Sequence, residues 1–287
     1  MPLSRRTLLV AALVAGAARA EAQSRPVEQL ASTRPEVQLM GYYAAVMHFA
    51  PVGFAGRGSR WEIGGDITYL PNLSAEDQRV GFNGTKAEDT NFCPVFPRLR
   101  AARVTGEWAV DVAYLPAVRV CGVKPHMVSA AVTRRFGGSS AWGGALRASA
   151  HYGTLIAAIT CSKDAVADPT NTICLGGQVS DDQYRPFTLA LEGALTYGGW
   201  GARRIEPYAL FGLRRDDPRF DVRFINVADS LDDRRLTLEQ ALFRLHVAAG
   251  AAWSPSSRVR FGGEVFYAPR ALLTVRSRAS IALGGGS

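Results

Sequence analysis

The chain is 287 residues long, with a formal net charge of +8 and a mean hydropathy of zero. No apolar run reaches the ~20 residues that a spanning helix needs, which excludes a helical membrane protein. Basic residues are scattered rather than gathered into a patch with aromatic stacking positions, which speaks against a nucleic-acid partner.

The first element reads as an export signal. Arg5 and Arg6 precede an apolar stretch over residues 7–17, and Ala18-Arg19-Ala20 offers a small-x-small cleavage site. Processing is expected after Ala20, with Ala22 as the alternative. Export bears on the four cysteines, because an even number in an exported chain predicts disulfides. No two are separated by the two to four residues of a zinc motif. Cys161 with Cys174 and Cys93 with Cys121 are the favoured pairs; the other two connectivities stay open.

Over residues 36–54, Val37, Met40, Gly41, Ala44, Ala45 and His48 follow helical spacing. This stretch is either a short helix or plug at the mouth of the fold, or an extra strand. From residue 60 the period changes to two. Trp61, Ile63, Ile67 and Tyr69 alternate with Arg60, Glu62, Asp66 and Thr68; Trp108, Val110, Val112 and Tyr114 alternate with Glu107, Ala109, Asp111 and Ala113. The longest alternation covers residues 141–160, where Trp142, Leu146, Ala148, Ala150 and Tyr152 oppose Arg147, Ser149 and His151. A strand sends successive side chains to opposite faces, so each segment has one apolar face and one polar face. Ten strands follow: 59–70, 96–104, 107–116, 125–136, 141–160, 185–198, 203–223, 234–253, 258–268 and 272–283.

The aromatic residues set a height. Trp142 and Tyr152, Phe187 and Tyr197, and Phe243 and Trp253 are each ten residues apart on an apolar face. Ten residues at ~3.3 Å rise and ~40° tilt climb about 25 Å, the apolar band of an outer-membrane barrel between its two aromatic girdles. Short connections near residues 105–106, 137–140, 198–202 and 254–257 alternate with long ones at 71–94, 116–124, 161–184 and 226–233. That asymmetry matches periplasmic turns and extracellular loops, and it places all four cysteines on the long-loop side.

The polar faces enclose the candidate lumen-lining residues Glu62, Asp66, Asp111, Arg147, His151, Glu192, Arg244, His246, Arg260 and Glu264, together with Arg60, Glu206, Arg214, Arg276 and Arg278. Buried charges must be paired or hydrated. The set predicts either an ion-pair network that closes the lumen or a narrow watery path whose slight Arg excess favours anions. An enzyme would need a nucleophile, base and orienter; Ser149, His151 and Glu192 are the nearest candidates, on a pattern that any polar strand face can produce. No catalytic, metal or cofactor site is expected. His48 and His126 are expected at the polar interface, and Asp164, Asp168, Asp181 and Asp182 as solvated loop charge.

Within residues 36–136, the mouth segment, Asp66-Ile67-Thr68-Tyr69-Leu70-Pro71, the long loop, Val112-Ala113-Tyr114-Leu115-Pro116 and Gly122-Val123-Lys124-Pro125 resemble outer-membrane channels of the FadL type. The resemblance implies diffusion of small hydrophobic molecules past an N-terminal plug. The chain departs from that family in having fewer strands.

The expectation is therefore an all-β transmembrane antiparallel barrel of about ten strands, twelve if residues 36–54 add one with a partner. A signal peptide (1–20) and a periplasmic or plug segment (21–57) precede the barrel (58–287). It would sit in the outer membrane of a Gram-negative-type bacterium as a porin-like channel for passive transport of small hydrophobic or anionic molecules. A closed barrel acting through its loops and an outer-membrane hydrolase are the alternatives. Outer-membrane lipid and a small solute are the expected partners, and oligomeric state is not legible.

Overall fold

A computed structural model describes residues 26–55, 59–91, 93–137, 141–197, 204–225 and 231–283; the expected signal peptide lies outside them. Ten strands form the wall: β1 (Arg60–Tyr69), β2 (Val95–Thr105), β3 (Trp108–Leu115), β4 (Lys124–Phe136), β5 (Trp142–Ala157), β6 (Phe187–Tyr197), β7 (Ile205–Asp216), β8 (Leu242–Trp253), β9 (Val259–Ala268) and β10 (Leu272–Leu283). Each is antiparallel to the next, and β10 returns to β1 with Arg276 opposite Thr68 and Leu283 opposite Trp61. The sheet is a closed ten-stranded barrel.

The faces are inverted relative to a water-soluble protein. Outward-facing Phe243 is 67 % exposed and Leu191 62 %, whereas inward-facing Arg147, Arg214 and Arg276 are fully buried. At roughly 25 cal/mol per Å² of apolar surface, such a belt is unfavourable in water and neutral in hydrocarbon. Among the described residues no helix is long and apolar enough to cross a membrane. The aromatic residues gather at two levels. Trp61, Trp108, Trp142 and Trp253 ring the short-turn end, and Tyr69, Tyr114, Tyr152, Phe243 and Tyr267 ring the long-loop end. Register explains the ten-residue spacing, since Trp142 faces Tyr197 and Tyr152 faces Phe187 across one strand pair.

Two expected strands are longer than those observed. Residues 203–223 split at Pro218, which lacks an N–H and follows the end of the ladder at Asp216, and residues 234–253 split at a bend over residues 239–241. Arg219–Ile225 and Leu231–Leu238 instead form a hairpin above the wall, paired on one side with Asp182–Arg185 and on the other, in parallel, with Val27–Leu30.

Residues 36–54 resolve as a plug, leaving ten strands and not twelve. Helix α1 (Pro35–Met47) starts with Pro at its first position and Glu36 in its first turn, both favourable at a helix N-terminus. Ten of its thirteen residues are buried, as an all-round apolar helix requires. Residues 48–55 continue extended to the short-turn end, so the plug threads the lumen from the long-loop mouth. Both favoured disulfides are present, with Cα–Cα separations of 5.4 Å for Cys93–Cys121 and 5.5 Å for Cys161–Cys174.

Candidate functional site

The lumen has two halves of different chemistry. From mid-height to the short-turn end it is ionic. Glu192 on β6 is the hub: its Oε1 lies 2.8 Å from Nε2 of His48 on the plug and 3.0 Å from Nε2 of His246 on β8, while Arg147 on β5 donates to Oε2. A carboxylate paired with arginine can only accept, so both imidazoles carry their proton on Nε2. Asp66 accepts from Arg98 (2.8 Å) and Arg100 (3.2 Å), and Asp111 from Arg100 (3.3 Å). Glu62 meets Arg60 (2.7 Å) and Arg278 (3.4 Å); Glu264 meets Arg276 (3.5 Å) and the Tyr208 hydroxyl (2.7 Å); Glu206 pairs with Arg260.

The surplus arginines have a different use from the one their number suggested. Arg276 donates to the carbonyl of Ala45, Arg98 to Met47, Arg100 to Ala50, Arg278 to Pro51 and Gly53, and Arg135 to Ala55. The last carbonyls of a helix and those of an extended plug have no partners of their own, and they attract cations. Phe49 adds a ring stacked against Arg98, Arg100 and Arg147 at 4.5–5.5 Å. These arginines therefore direct donors to plug backbone as well as to carboxylates, and they fix the plug in the lumen.

All ten lumen-lining candidates lie on inward faces; nine are buried, and Arg244, partly exposed, reaches Gln38 of the helix at 3.3 Å. Other assignments change. His48 is buried at the centre of the lumen rather than at the interface, because the plug delivers it to Glu192. His126 does face outward, its ring edge-on to Tyr114 at the long-loop girdle. Asp182 is buried rather than solvated; its carboxylate accepts from the amides of Ile159, Thr160 and Arg223 and from Ser180 Oγ, tying the base of the disulfide loop. Ser149, His151 and Glu192 form no hydrogen-bonded relay, since His151 Nδ1 pairs with Ser129 Oγ (2.7 Å) on β4 and Glu192 is engaged by its own partners. His48, Glu192 and His246 place ligand atoms within 4.8 Å of one another, all three buried, with both imidazoles meeting Glu192 Oε1.

The long-loop half is predominantly apolar, although it also buries the Arg214–Asp216 (2.8 Å) and Lys86–Glu88 (2.6 Å) ion pairs. Around α1 it presents Phe96, Leu115, Leu155, Tyr184 and Phe220, and the helix is held by backbone and tyrosine contacts: Tyr42 to the Pro71 carbonyl (2.5 Å), Tyr43 to Thr90 (3.1 Å) and Tyr184 to Met40 (2.8 Å). At the mouth, Glu36 accepts from Arg34 (2.9 Å) and from the Asn83 amide (2.7 Å). Burial works to raise the Glu36 carboxyl, but these bonds outweigh it and hold it below its ordinary value.

The wall of this half is interrupted. β3 is only eight residues long and ends at Leu115 before Pro116. Pairing of β2 with β3 begins at Leu99, and pairing of β3 with β4 ends at Met127, so Val95–Arg98 of β2 and Lys124–His126 of β4 have no ladder partner above β3. Pro97 and Pro125 sit in those unpaired stretches, where a missing N–H costs least. The Cys93–Cys121 bridge crosses above the gap and turns it into a window. A cavity of about 810 Å³ meets it, lined inside mainly by Tyr43, Met47, Phe96, Leu115 and Leu155, at the gap by Pro97, Val123 and Pro125, and on the lipid side by residues that include Ile67 and Leu99; it also touches the ion-paired Asp66, Arg98 and Arg278. Its size lies within the ~300–1,000 Å³ of small-molecule sites. The window was missed in the alternation pattern; the three prolines were its signal.

No family model matches the chain, and no curated protein matches it. Among solved structures it is similar to the outer-membrane protein Ail of Yersinia pestis (TM-score 0.31, 11 % identity, covering 79 % of this chain and 100 % of that one). It is also similar to the toluene transporter TodX of Pseudomonas putida (TM-score 0.37, 11 % identity, 90 % and 77 %). Likenesses of this size carry no argument about function, which rests on the geometry above.

Proposed function

We propose that the protein is an outer-membrane barrel that passes a small hydrophobic molecule between its long-loop end and the membrane, sideways through the window between β2 and β4. The single observation behind this reading is the apolar cavity that touches the plug on one side and lipid-facing Ile67 and Leu99 on the other. An apolar solute gains by leaving water for such a cavity and loses nothing by moving on into acyl chains. The ion-paired half below, threaded by residues 48–55, offers no comparable route to a hydrated ion. A closed barrel acting through its disulfide-tied loops is the second reading, favoured by that same packed half.

The test is uptake by proteoliposomes of a small hydrophobic fluorophore, measured beside ion conductance. Wild-type protein should speed fluorophore entry while conductance stays at the lipid background. Val123→Trp, which fills the window, should slow entry several-fold in a barrel that still migrates as folded unless boiled. Unchanged entry in that variant, or porin-like conductance in the wild type, would sink the proposal.

A further inference from the structure

Three arginines on barrel strands face outward, toward lipid: Arg103 on β2, Arg134 on β4 and Arg215 on β7. A guanidinium there must satisfy its N–H groups locally, since hydrocarbon offers no acceptor. Arg215 has its own carboxylate, Asp217, at 3.4 Å. Arg103 lies over the Trp61 ring (5.4 Å) and gives one hydrogen bond to Ser59 Oγ (3.1 Å). Arg134 is stacked between Trp108 (5.6 Å) and Phe136 (5.2 Å) and makes no hydrogen bond or ion pair among the described residues. Both rings lie beside its guanidinium, whose N–H groups have no protein acceptor among the described residues.

Position identifies what completes it. Trp61, Trp108 and Phe136 belong to the short-turn girdle, the level of lipid headgroups. Arg103 and Arg134 flank β3 at that level. Between and beyond them, toward mid-membrane, the outer faces of β3 and β4 carry Val110, Val112, Val128 and Val132, a smooth apolar surface on which an acyl chain can lie. The chemical group found at that depth with acceptors matched to a planar guanidinium edge is a phosphodiester.

We infer that Arg134, clamped by Trp108 and Phe136 and assisted by Arg103, binds the phosphodiester of an acidic phospholipid on the short-turn rim of the β2–β4 wall. The inference rests on the reading of the chain as a membrane barrel, but not on the window or on transport. It also places a bound lipid on the same wall segment as the window, at the opposite end of the short strand β3.

Native mass spectrometry of the detergent-solubilised protein titrated with phosphatidylglycerol tests it. Wild-type protein should retain one lipid more tightly than the rest, with phosphatidylcholine held more weakly. Arg134→Gln should weaken that lipid about tenfold, the scale of one lost charge-assisted pair, and Arg134→Lys should restore it only in part. Arg215→Gln, a lipid-facing arginine with its own carboxylate, should change nothing, and millimolar inorganic phosphate should not displace the lipid. Equal retention by wild type and Arg134→Gln, an equal loss in Arg215→Gln, or displacement by free phosphate would overturn the site. Insertion into vesicles, scored separately, distinguishes failure of this site from failure of the barrel reading.

Discussion

The two halves of the lumen are lined by the same ten strands and filled by the same segment, yet they are held by different physics. Below mid-height the plug is a non-helical chain whose carbonyls are met by arginines, and Arg98, Arg100, Arg276 and Arg278 among them are in turn paired with Glu62, Asp66, Asp111 and Glu264. Above it the plug is a helix that satisfies most of its own backbone and packs mainly on apolar neighbours, with Tyr184 and Arg244 as its polar contacts. An ionic interior tolerates no vacancy, because an unpaired buried charge is far more costly than an unfilled apolar space. The difference teaches where a barrel can leave room: the wall window opens in the apolar half, and the 810 Å³ cavity behind it is lined mainly by apolar groups, meeting the paired Asp66, Arg98 and Arg278 where the two halves join.

The contrast can be broken at its strongest point first. Glu192→Ala leaves Arg147 buried without its carboxylate and frees two imidazoles, so it should cost about 3–5 kcal/mol, read as loss of urea resistance in detergent. A cost below about 1 kcal/mol would mean that the ionic half is hydrated rather than packed. Leu155→Ala, in the apolar half, should cost about 2 kcal/mol, the low end for such a truncation because the side chain already borders a cavity. Hydrophobic uptake should survive it. A cost equal to that of Glu192→Ala would erase the distinction between the halves.

The smallest effect belongs to pH at the mouth. Glu36 is held below its ordinary 4.5 in the folded chain, so the stability it lends the plug entrance is present above about pH 4.5 and is lost as pH falls through the lowered value. Half-buried as the group is, the amount should be under about 1 kcal/mol. Hydrogen exchange at the Asn83 amide should quicken, relative to the intrinsic rate, on acidification below pH 4, and Glu36→Gln should remove that dependence.

Much of the wall was legible in the residues. The alternation of Trp142 to Ala157 named both faces correctly, and Arg276, Arg278 and Ser280 marked the inner face of the last strand despite Ser277 on the lipid side; its register with β1 came only from the structure. The overlong strands came from reading alternation through Pro218 in one and through the bend at residues 239–241 in the other, where a period-2 pattern persists but the ladder does not. Arg98 and Arg100 alternate with Leu99 and so carried an inward signal of their own, whereas the role of His48 had none.

Which side of each strand meets lipid, how tall the apolar band is and that all four cysteines share one end follow from local rules: side-chain direction repeats every two residues, and an insertion of one would flip every face. Who partners whom inside does not follow from any local rule. His48 meets Glu192 across 144 positions and Arg276 reaches Ala45 across 231, and such pairs exist only because closing the sheet and threading the plug bring those atoms together. The window likewise is set by how far β3 stops short of its two neighbours, a property of three strands in register and of none alone.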